Sequence, residues 1–263
     1  MYNLLISLGA LAVSWILVSL ILGGVFYGII PGLIAFGIAY VWLARRSYMA
    51  MGVAVQESQE LLQPPPGFNP MNPAQAGKWK PPFEKAIAVL EAALPLQKWQ
   101  FLIVEQLAGQ IGQLYYLQKN YDAAVPYLQQ AWARDWMAKA FLGAHMCRLK
   151  KLSEMKAAFE IAVKAHDKEP FLWNVYAWCL QKLGEDATAI LVLDRAHTLV
   201  PGDERTATNL QNVRNGKKVT MKPFGDTWYL FFLEDPPQVM VPQGYGAQPF
   251  GQQRGMRQPP RKR

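Results

Sequence analysis

The first 44 residues of the chain contain no Asp, Glu, Lys, Arg or His. A helix that crosses the hydrocarbon of a bilayer needs roughly 20 apolar residues, so this stretch is long enough for two. The first predicted span covers residues 4–22 and the second covers 25–44. Gly23 and Gly24 between them allow a tight reversal, because glycine accepts backbone angles that other residues avoid. The sequence therefore predicts a transmembrane hairpin of two helices over residues 1–46.

The residues around the second span predict its shape and its orientation. Pro31 and Gly32 are expected to kink it. Arg45 and Arg46 follow it directly, and positive residues beside a span favour the cytoplasmic side. We therefore expect an integral protein of a bacterial inner membrane, with both termini and the later domain in the cytoplasm. A re-entrant hairpin in one leaflet is the open alternative, whereas a signal peptide is disfavoured because the apolar run is too long and no basic residue precedes it.

Residues 47–82 are predicted to connect this hairpin to a second domain. A helix is expected to continue off the membrane through residues 47–63. The stretch that follows, 64–82, is so rich in proline and glycine that it predicts an extended linker. A helical period resumes at Phe83.

Three later stretches, which begin at residues 107, 140 and 171, align with small residues in register. The step from Gly143 to Ala177 is 34 residues, and the corresponding step before it is 31. At these positions the chain resembles the tetratricopeptide repeat (TPR) family, which has a period of 34 residues with W-x2-L-G-x2-Y in the first helix and A-x3-F and Pro later. The matching residues are Ile111, Gly112, Tyr115, Tyr121, Ala124, Leu128 and Ala131; Leu142, Gly143, Met146, Phe159 and Ala162; and Trp173, Ala177, Leu180, Gly184, Ala189, Leu193, Ala196 and Pro201.

The resemblance implies an all-α fold in which about three helical hairpins form an α-solenoid over residues 83–215. Helices over 83–94 and 203–214 are expected to cover its two ends, since terminal hairpins otherwise expose an apolar face. Pro126 fits inside a helix that begins near residues 120–122. Gly184 is expected to end a helix in the left-handed conformation.

A concave face built from the first helix of each hairpin is the predicted binding groove for a protein partner. Amide side chains there would hydrogen-bond a peptide backbone, aromatic rings would anchor apolar groups, and basic residues would attract carboxylates. Tyr116 and Trp178 could instead be ordinary core residues, and this alternative stays open. The full set of residues with which some family members bind a C-terminal carboxylate is absent. The resemblance assigns to this groove Gln106, Gln113, Tyr116, Arg148, Phe171, Asn174, Trp178 and Lys182.

The sequence shows no pattern that indicates catalysis. His145, His166 and His197 form neither HExxH nor a metal-binding pair at helical spacing. Phosphate-binding GxxxxGK[ST] and the GxSxG nucleophile motif are also absent. Cys147 and Cys179 belong to no CxxC pair. We therefore expect neither an enzyme nor a bound cofactor or metal.

Residues 216–241 carry six consecutive apolar residues at 228–233. This run predicts a short strand or extended segment, which would be an aggregation hazard if it stayed exposed. It is expected to pack on the last hairpin or on a partner, and it could lie in the groove as an internal ligand.

The last residues, 242–263, are rich in Pro, Gly and Gln and are predicted to be disordered. Residues 214–263 hold nine Lys or Arg and three Asp or Glu, so most of the chain's net charge of +8 lies there. The basic end of this tail could contact anionic lipid, RNA or an acidic protein, and a solvated tail held near a negatively charged membrane is favoured over RNA binding. Its basic residues are Arg254, Arg257, Arg261, Lys262 and Arg263.

These observations predict a membrane-anchored adaptor or scaffold that binds a protein partner, for example during assembly of a membrane complex. Two alternatives stay open. One is a membrane tether for RNA or ribosomes through the basic tail, and the other is a structural subunit of a membrane complex. The sequence leaves the oligomeric state undetermined.

Overall fold

The computed structural model describes residues 1–68 and 79–236, and the described residues are helical with no β-strand. The all-α fold class is therefore confirmed. Three 3-10 segments cover Val25–Gly28, Leu94–Lys98 and Lys222–Phe231. The α-helices are α1 (Tyr2–Leu22), α2 (Ile29–Leu61), α3 (Phe83–Ala93), α4 (Ile103–Leu117), α5 (Tyr121–Gln130), α6 (Trp136–Arg148), α7 (Leu152–Ala165), α8 (Pro170–Lys182), α9 (Asp186–Leu199) and α10 (Glu204–Arg214).

Helices α1 and α2 form a hairpin, and both are long and apolar enough to cross a membrane. Gly23 ends α1 with a left-handed φ of 70°, which a residue with a side chain would adopt only under strain. Near the start of α2 the two helices approach so closely that a side chain at Gly28 would collide with the backbone of Trp15. Glycine is thus required at both positions for the hairpin to close.

The kink expected at Pro31 is wrong. Val25–Gly28 forms a 3-10 turn, and α2 begins only at Ile29. Pro31 therefore lies in the first helical turn, where no intrahelical hydrogen bond needs its missing N–H group.

Helix α2 continues without a break past Arg45 and Arg46 to Leu61. Beyond the arginines it packs on α3 and α4. The hydrophobic core of α3 and α4, against which partly buried side chains of α2 pack, joins the hairpin to the domain that follows. This core contains Ala86, Ile87, Leu90, Ala93, Ile103, Leu107, Ile111 and Leu114, with Tyr48, Met51, Val55 and Leu61 of α2 packed against it.

Three helical hairpins, α4–α5, α6–α7 and α8–α9, pack in chain order, and α10 covers the last. Small residues allow the close helix crossings within them. A side chain at Gly112 would lie 2.9 Å from the backbone nitrogen of Leu128, and one at Gly143 would lie 2.6 Å from the ring of Phe159. In the third hairpin, the corresponding Ala177 is fully buried.

Local sequence signals set the ends of several helices. The Asn120 side chain accepts a 3.4 Å hydrogen bond from Ala123 N at the start of α5, which confirms the start predicted from Pro126. Gly184 follows α8 with a φ of 83°, so the predicted left-handed ending is also confirmed. Gly184 thus sets the end of α8, one of the helices that form the candidate binding face.

After α10 the chain turns at Gly216 and runs back over the hairpins as the 3-10 segment Lys222–Phe231, which is interrupted at Gly225. The strand predicted over 228–233 is wrong. The described part of the chain offers no strand for it to pair with, and a 3-10 turn satisfies its backbone groups locally. The predicted disordered tail, including Arg254, Arg257, Arg261, Lys262 and Arg263, and the middle of the predicted linker lie outside the described residues.

Candidate binding face on the first helices

Residues 217–234, which we call the return segment, lie across the face formed by α4, α6 and α8, which we call the first-helix face. Trp228 of the return segment packs edge-on against Trp178, with ring centroids 5.0 Å apart. Phe231 packs against Phe141 at 4.8 Å and against Phe171 at 5.5 Å. The return segment therefore contacts both the second and the third hairpin through aromatic rings.

A buried hydrogen bond fixes the far end of the return segment on the first hairpin. The hydroxyl of Tyr116 donates to the carbonyl oxygen of Phe231 at 2.7 Å. The Tyr116 ring stacks on Phe141 with centroids 4.3 Å apart and has no solvent exposure. Burial raises the pKa of Tyr116 well above its usual range, so the phenol stays protonated and remains a donor.

Amide side chains hold the start of the return segment by its backbone. Gln181 of α8 accepts from Val219 N at 2.8 Å and donates to Lys217 O at 2.9 Å. Asn209 of α10 accepts from Thr220 N at 2.9 Å and donates to Thr220 O at 3.0 Å. Both amides thus pair with the main chain as a peptide-binding groove would.

Four apolar side chains of the return segment are buried as deeply as those of the hairpins, and the others are half-buried. Trp228 is 1% exposed and Phe231 is 0% exposed, and Val219 and Met221 are also buried. The segment therefore occupies the first-helix face in the way that a bound peptide would.

Tyr116, Phe171 and Trp178, three of the predicted groove residues, contact the return segment. Lys182 lies exposed at the edge of the same face, with its ammonium 5.7 Å from the Trp178 ring centroid. The structure thus brings together four residues of the predicted set, three that contact the return segment and Lys182 beside Trp178.

Asn174 has a different position from the one that the helical spacing suggests. It is fully buried, donates to Thr206 Oγ1 at 2.8 Å and accepts from Asn209 Nδ2 at 2.8 Å. It also donates to Pro170 O at 2.7 Å. Asn174 therefore joins α8 to α10 and does not face the return segment.

The remaining predicted residues contact the hairpins themselves. Gln113 is buried and donates to the Asp135 carboxylate at 2.9 Å. The Arg148 guanidinium lies 3.6 Å from the Tyr121 ring centroid. Gln106 is half-buried near the start of α4.

Sequence reasoning missed several residues that hold the return segment. Phe141, Gln181 and Asn209 are central to it, and Lys119 lies with its ammonium 4.8 Å from the Phe232 ring centroid. The amides carried no signal of their own, because an exposed amide and a groove amide look alike in a helical pattern. Phe141 was detectable as an apolar residue, but its contact with a distant segment was not.

Lys139 is a buried cation where the first hairpin meets the second, and the half-buried Asp135 lies near it. The Lys139 ammonium donates to Leu128 O at 3.0 Å and to Gln129 O at 2.8 Å, at the C-terminal end of α5. Burial lowers the pKa of Lys139 and raises that of Asp135, and each partly offsets the effect on the other. The lysine satisfies carbonyl groups that the helix end leaves without partners.

A shallow cleft of about 400 Å³ lies between α7 and α9, away from the return segment. Ile161 and Leu199 line it and are 43% and 45% exposed. Arg195 crosses it to pair with Glu160 at 2.9 Å. This cleft is an accessible surface of mixed apolar and charged character.

Among residues 1–68 and 79–236, no group of three or more His, Cys, Asp or Glu is placed to hold a metal ion. No protein-family model matches the chain, and comparisons with curated proteins and with solved structures give no match either.

Proposed function

We propose that this chain is a membrane-anchored adaptor or scaffold of TPR type that binds a protein partner. Helices α1 and α2 form its anchor, and the three hairpins form the cytoplasmic binding domain. The observation that carries the proposal is that the first-helix face already holds a segment of its own chain through aromatic side chains and backbone hydrogen bonds. A face with these groups has the chemistry to bind a peptide from another protein.

The contacts of the return segment describe the partner peptide that this face would accept. It needs an aromatic side chain to pack between Phe141 and Phe171, as Phe231 does, and a second one against Trp178. It also needs a backbone carbonyl that Tyr116 can reach. We therefore propose an apolar partner segment with two aromatic residues.

Displacing the return segment costs free energy, which makes partner binding conditional. Exposing Phe231 alone costs roughly 1.5 to 3 kcal/mol. The apparent affinity for a competing peptide falls by the fraction of molecules in which the face is free. The return segment therefore acts as a competitor that only a better-fitting or locally concentrated partner replaces.

The anchor and its orientation rest on separate observations. The two helices are long and apolar enough to cross a membrane. Arg45 and Arg46 follow the apolar part of α2, and flanking arginines favour the cytoplasmic side. We therefore propose an integral protein of a bacterial inner membrane whose hairpins face the cytoplasm.

Co-purification from gently solubilised membranes tests the adaptor proposal. Trp228→Ala/Phe231→Ala should free the first-helix face and increase recovery of a specific protein several-fold over the native chain. Adding Trp178→Ala should remove that gain, because the aromatic wall that receives the peptide is lost. Asp226→Ala, an exposed change in the return segment, is the matched control.

A photo-crosslinker at Lys182 locates the contact. Lys182 lies at the edge of the face, so a bound partner should form an adduct there. The yield of this adduct should be higher in the Trp228→Ala/Phe231→Ala chain than in the native chain. The same protein list from all variants, with no adduct at Lys182, would show that the first-helix face binds no partner. A tryptic-digestion check on each variant excludes loss of folding as the cause.

The two alternatives from the sequence keep their own tests. Removal of residues 242–263 should cause a salt-sensitive loss of RNA if the tail is a tether, because phosphate contacts weaken with added salt. A structural subunit would instead remain in one complex of fixed composition through detergent extraction. Neither alternative draws support from the described residues.

A further inference from the structure

A network of polar side chains joins the base of the helical hairpin to the loop between α3 and α4. The backbone nitrogen of Asn3 donates to Trp99 O at 3.2 Å, and its side chain donates to Ser47 Oγ at 2.9 Å and Gln100 Oε1 at 3.3 Å. Gln100 also donates to the Tyr40 hydroxyl at 2.9 Å. The loop is therefore held against the start of α1 and the middle of α2.

The position of this network along α1 and α2 fixes the depth of the loop relative to the proposed bilayer. Asn3 lies in the first turn of α1, and Ser47 lies directly after Arg45 and Arg46 in α2. The apolar part of both helices ends at this level, where the hydrocarbon of a bilayer would give way to lipid headgroups. We call residues 98–101 the interface loop.

The interface loop turns its amide inward and its aromatic rings outward. Gln100 is 3% exposed, whereas Trp99 is 43% and Phe101 is 46% exposed. Trp99 contacts Tyr2 edge-on, with ring centroids 5.3 Å apart. Lys98 beside them is exposed. The loop thus presents two aromatic side chains and a cation at one place.

The backbone keeps these side chains outward at some cost. Leu102 has a φ of 65°, a left-handed conformation that a residue with a side chain adopts only under strain. The Tyr48 hydroxyl holds the loop from the other side by donating to Phe101 O at 3.3 Å. The outward direction of Phe101 is thus built into the loop.

We propose that Lys98, Trp99 and Phe101 insert into the headgroup region of the bilayer that α1 and α2 span, as a third attachment of the domain to lipid. Aromatic rings favour this region because it accepts an apolar ring and a polar edge together, and a lysine pairs there with anionic lipid. The lipid surface of the hairpin continues directly into the loop, which favours lipid over a protein partner. This inference rests on the proposed membrane anchoring.

Collision accessibility of a spin label tests the inference in the full chain. Phe101→Cys would be labelled with a nitroxide in a Cys147→Ala/Cys179→Ala background and reconstituted into nanodiscs containing zwitterionic and anionic lipid. Two matched positions are exposed in the free chain, Ile38 in α2 at 67% and Leu191 in α9 at 65%. Ile38→Cys reports the hydrocarbon and Leu191→Cys reports water.

A label at position 101 is expected to collide with a water-soluble nickel chelate several-fold less often than one at position 191. Its oxygen collisions should lie between those of the labels at positions 191 and 38. Trp99→Cys repeats the measurement at a second site, so a folding defect of one variant does not decide the result.

The two possible failures are distinguishable. If the label at position 38 lies in lipid but the labels at positions 99 and 101 match that at position 191, the interface loop does not touch the membrane. If the label at position 38 is also fully accessible to the nickel chelate, the anchoring proposal is wrong and this inference falls with it.

Discussion

The hydroxyl of Tyr116 and the carbonyl oxygen of Phe231 are 115 residues apart in sequence and 2.7 Å apart in space. This contact joins the first hairpin to the last described segment of the chain, so the return segment crosses all three hairpins. The array is therefore closed along one face by its own polypeptide.

Tyr116→Phe should loosen the far end of the return segment. The change keeps the ring but leaves the buried Phe231 carbonyl without its donor, which costs about 1 to 3 kcal/mol. Thermal unfolding in detergent should show a lower Tm, and proteolysis within residues 222–231 should become faster. Tyr229→Phe, at a half-buried position of the same segment, is the control. Equal proteolysis of the two variants would contradict the assigned role of this hydrogen bond.

Gly112→Ala and Gly143→Ala should both destabilise the hairpins, by about 1 to 3 kcal/mol for a core that cannot relax. The effect should be larger at Gly112, because the added carbon meets the backbone of Leu128, whereas at Gly143 it meets a ring. Gly52→Ala is the matched control, since it has open space in α2 and alanine favours a helix. Denaturant titration should rank Gly52→Ala as the most stable of the three. A neutral Gly112→Ala would contradict the close crossing.

Lys139→Met should destabilise the junction of the first two hairpins by about 1 to 3 kcal/mol, because two carbonyl groups at the end of α5 lose their donor. The methylene stem is largely retained, so the loss reports the ammonium. Lys164→Met, on the exposed side of α7, should leave the unfolding midpoint unchanged. Similar midpoints for both variants would show that the buried ammonium contributes no net stability.

His145 should make the fold less stable in mild acid. Burial, and next the positive charge of Arg148, lower its pKa in the folded chain below the ordinary value, while Asp122 acts in the opposite direction. The unfolded chain therefore takes up a proton first, near pH 6.5, and stability falls as the pH drops from there through the folded pKa. The Tm of the native chain should fall more between pH 7.5 and pH 5 than that of His145→Gln. Parallel pH profiles would exclude His145 as the cause.

Asn174→Ala should lower the Tm because it breaks the hydrogen bonds between α8 and α10. Lys182→Ala should leave the Tm unchanged, since this side chain is exposed at the edge of the first-helix face. The two residues share a helix face by sequence spacing, so the comparison separates a structural amide from a candidate binding residue. Equal loss of stability in both variants would contradict this separation.

Features that depend on neighbouring residues were predictable from the sequence. The uncharged run marked both long helices, Asn120 and Pro126 set the start of α5, and Gly184 set the end of α8. Each of these is decided by the local backbone or by a helical period. These features can therefore be predicted without knowledge of contacts between distant residues.

The path of the return segment was not predictable in the same way. Its apolar run showed that it must pack against other residues. Its 3-10 conformation accompanies contacts of Phe231 with Tyr116, Phe141 and Phe171, which are distant in sequence. The buried position of Asn174 was not predictable for a related reason, because its hydrogen-bond partners Thr206 and Asn209 lie on α10, more than 30 residues away in sequence. Partners in distant parts of the sequence decided both cases.

The unbroken α2 has a mechanical consequence. A helix of 33 residues is about 50 Å long, and the far end of α2 packs through apolar side chains on α3 and α4. If α2 spans a bilayer as proposed, a thinner bilayer would tilt it, and a tilt of about 20° would move its far end sideways by roughly 17 Å. Bilayer thickness would therefore set the lateral position of the three hairpins. A change in lipid composition that alters this thickness would move them.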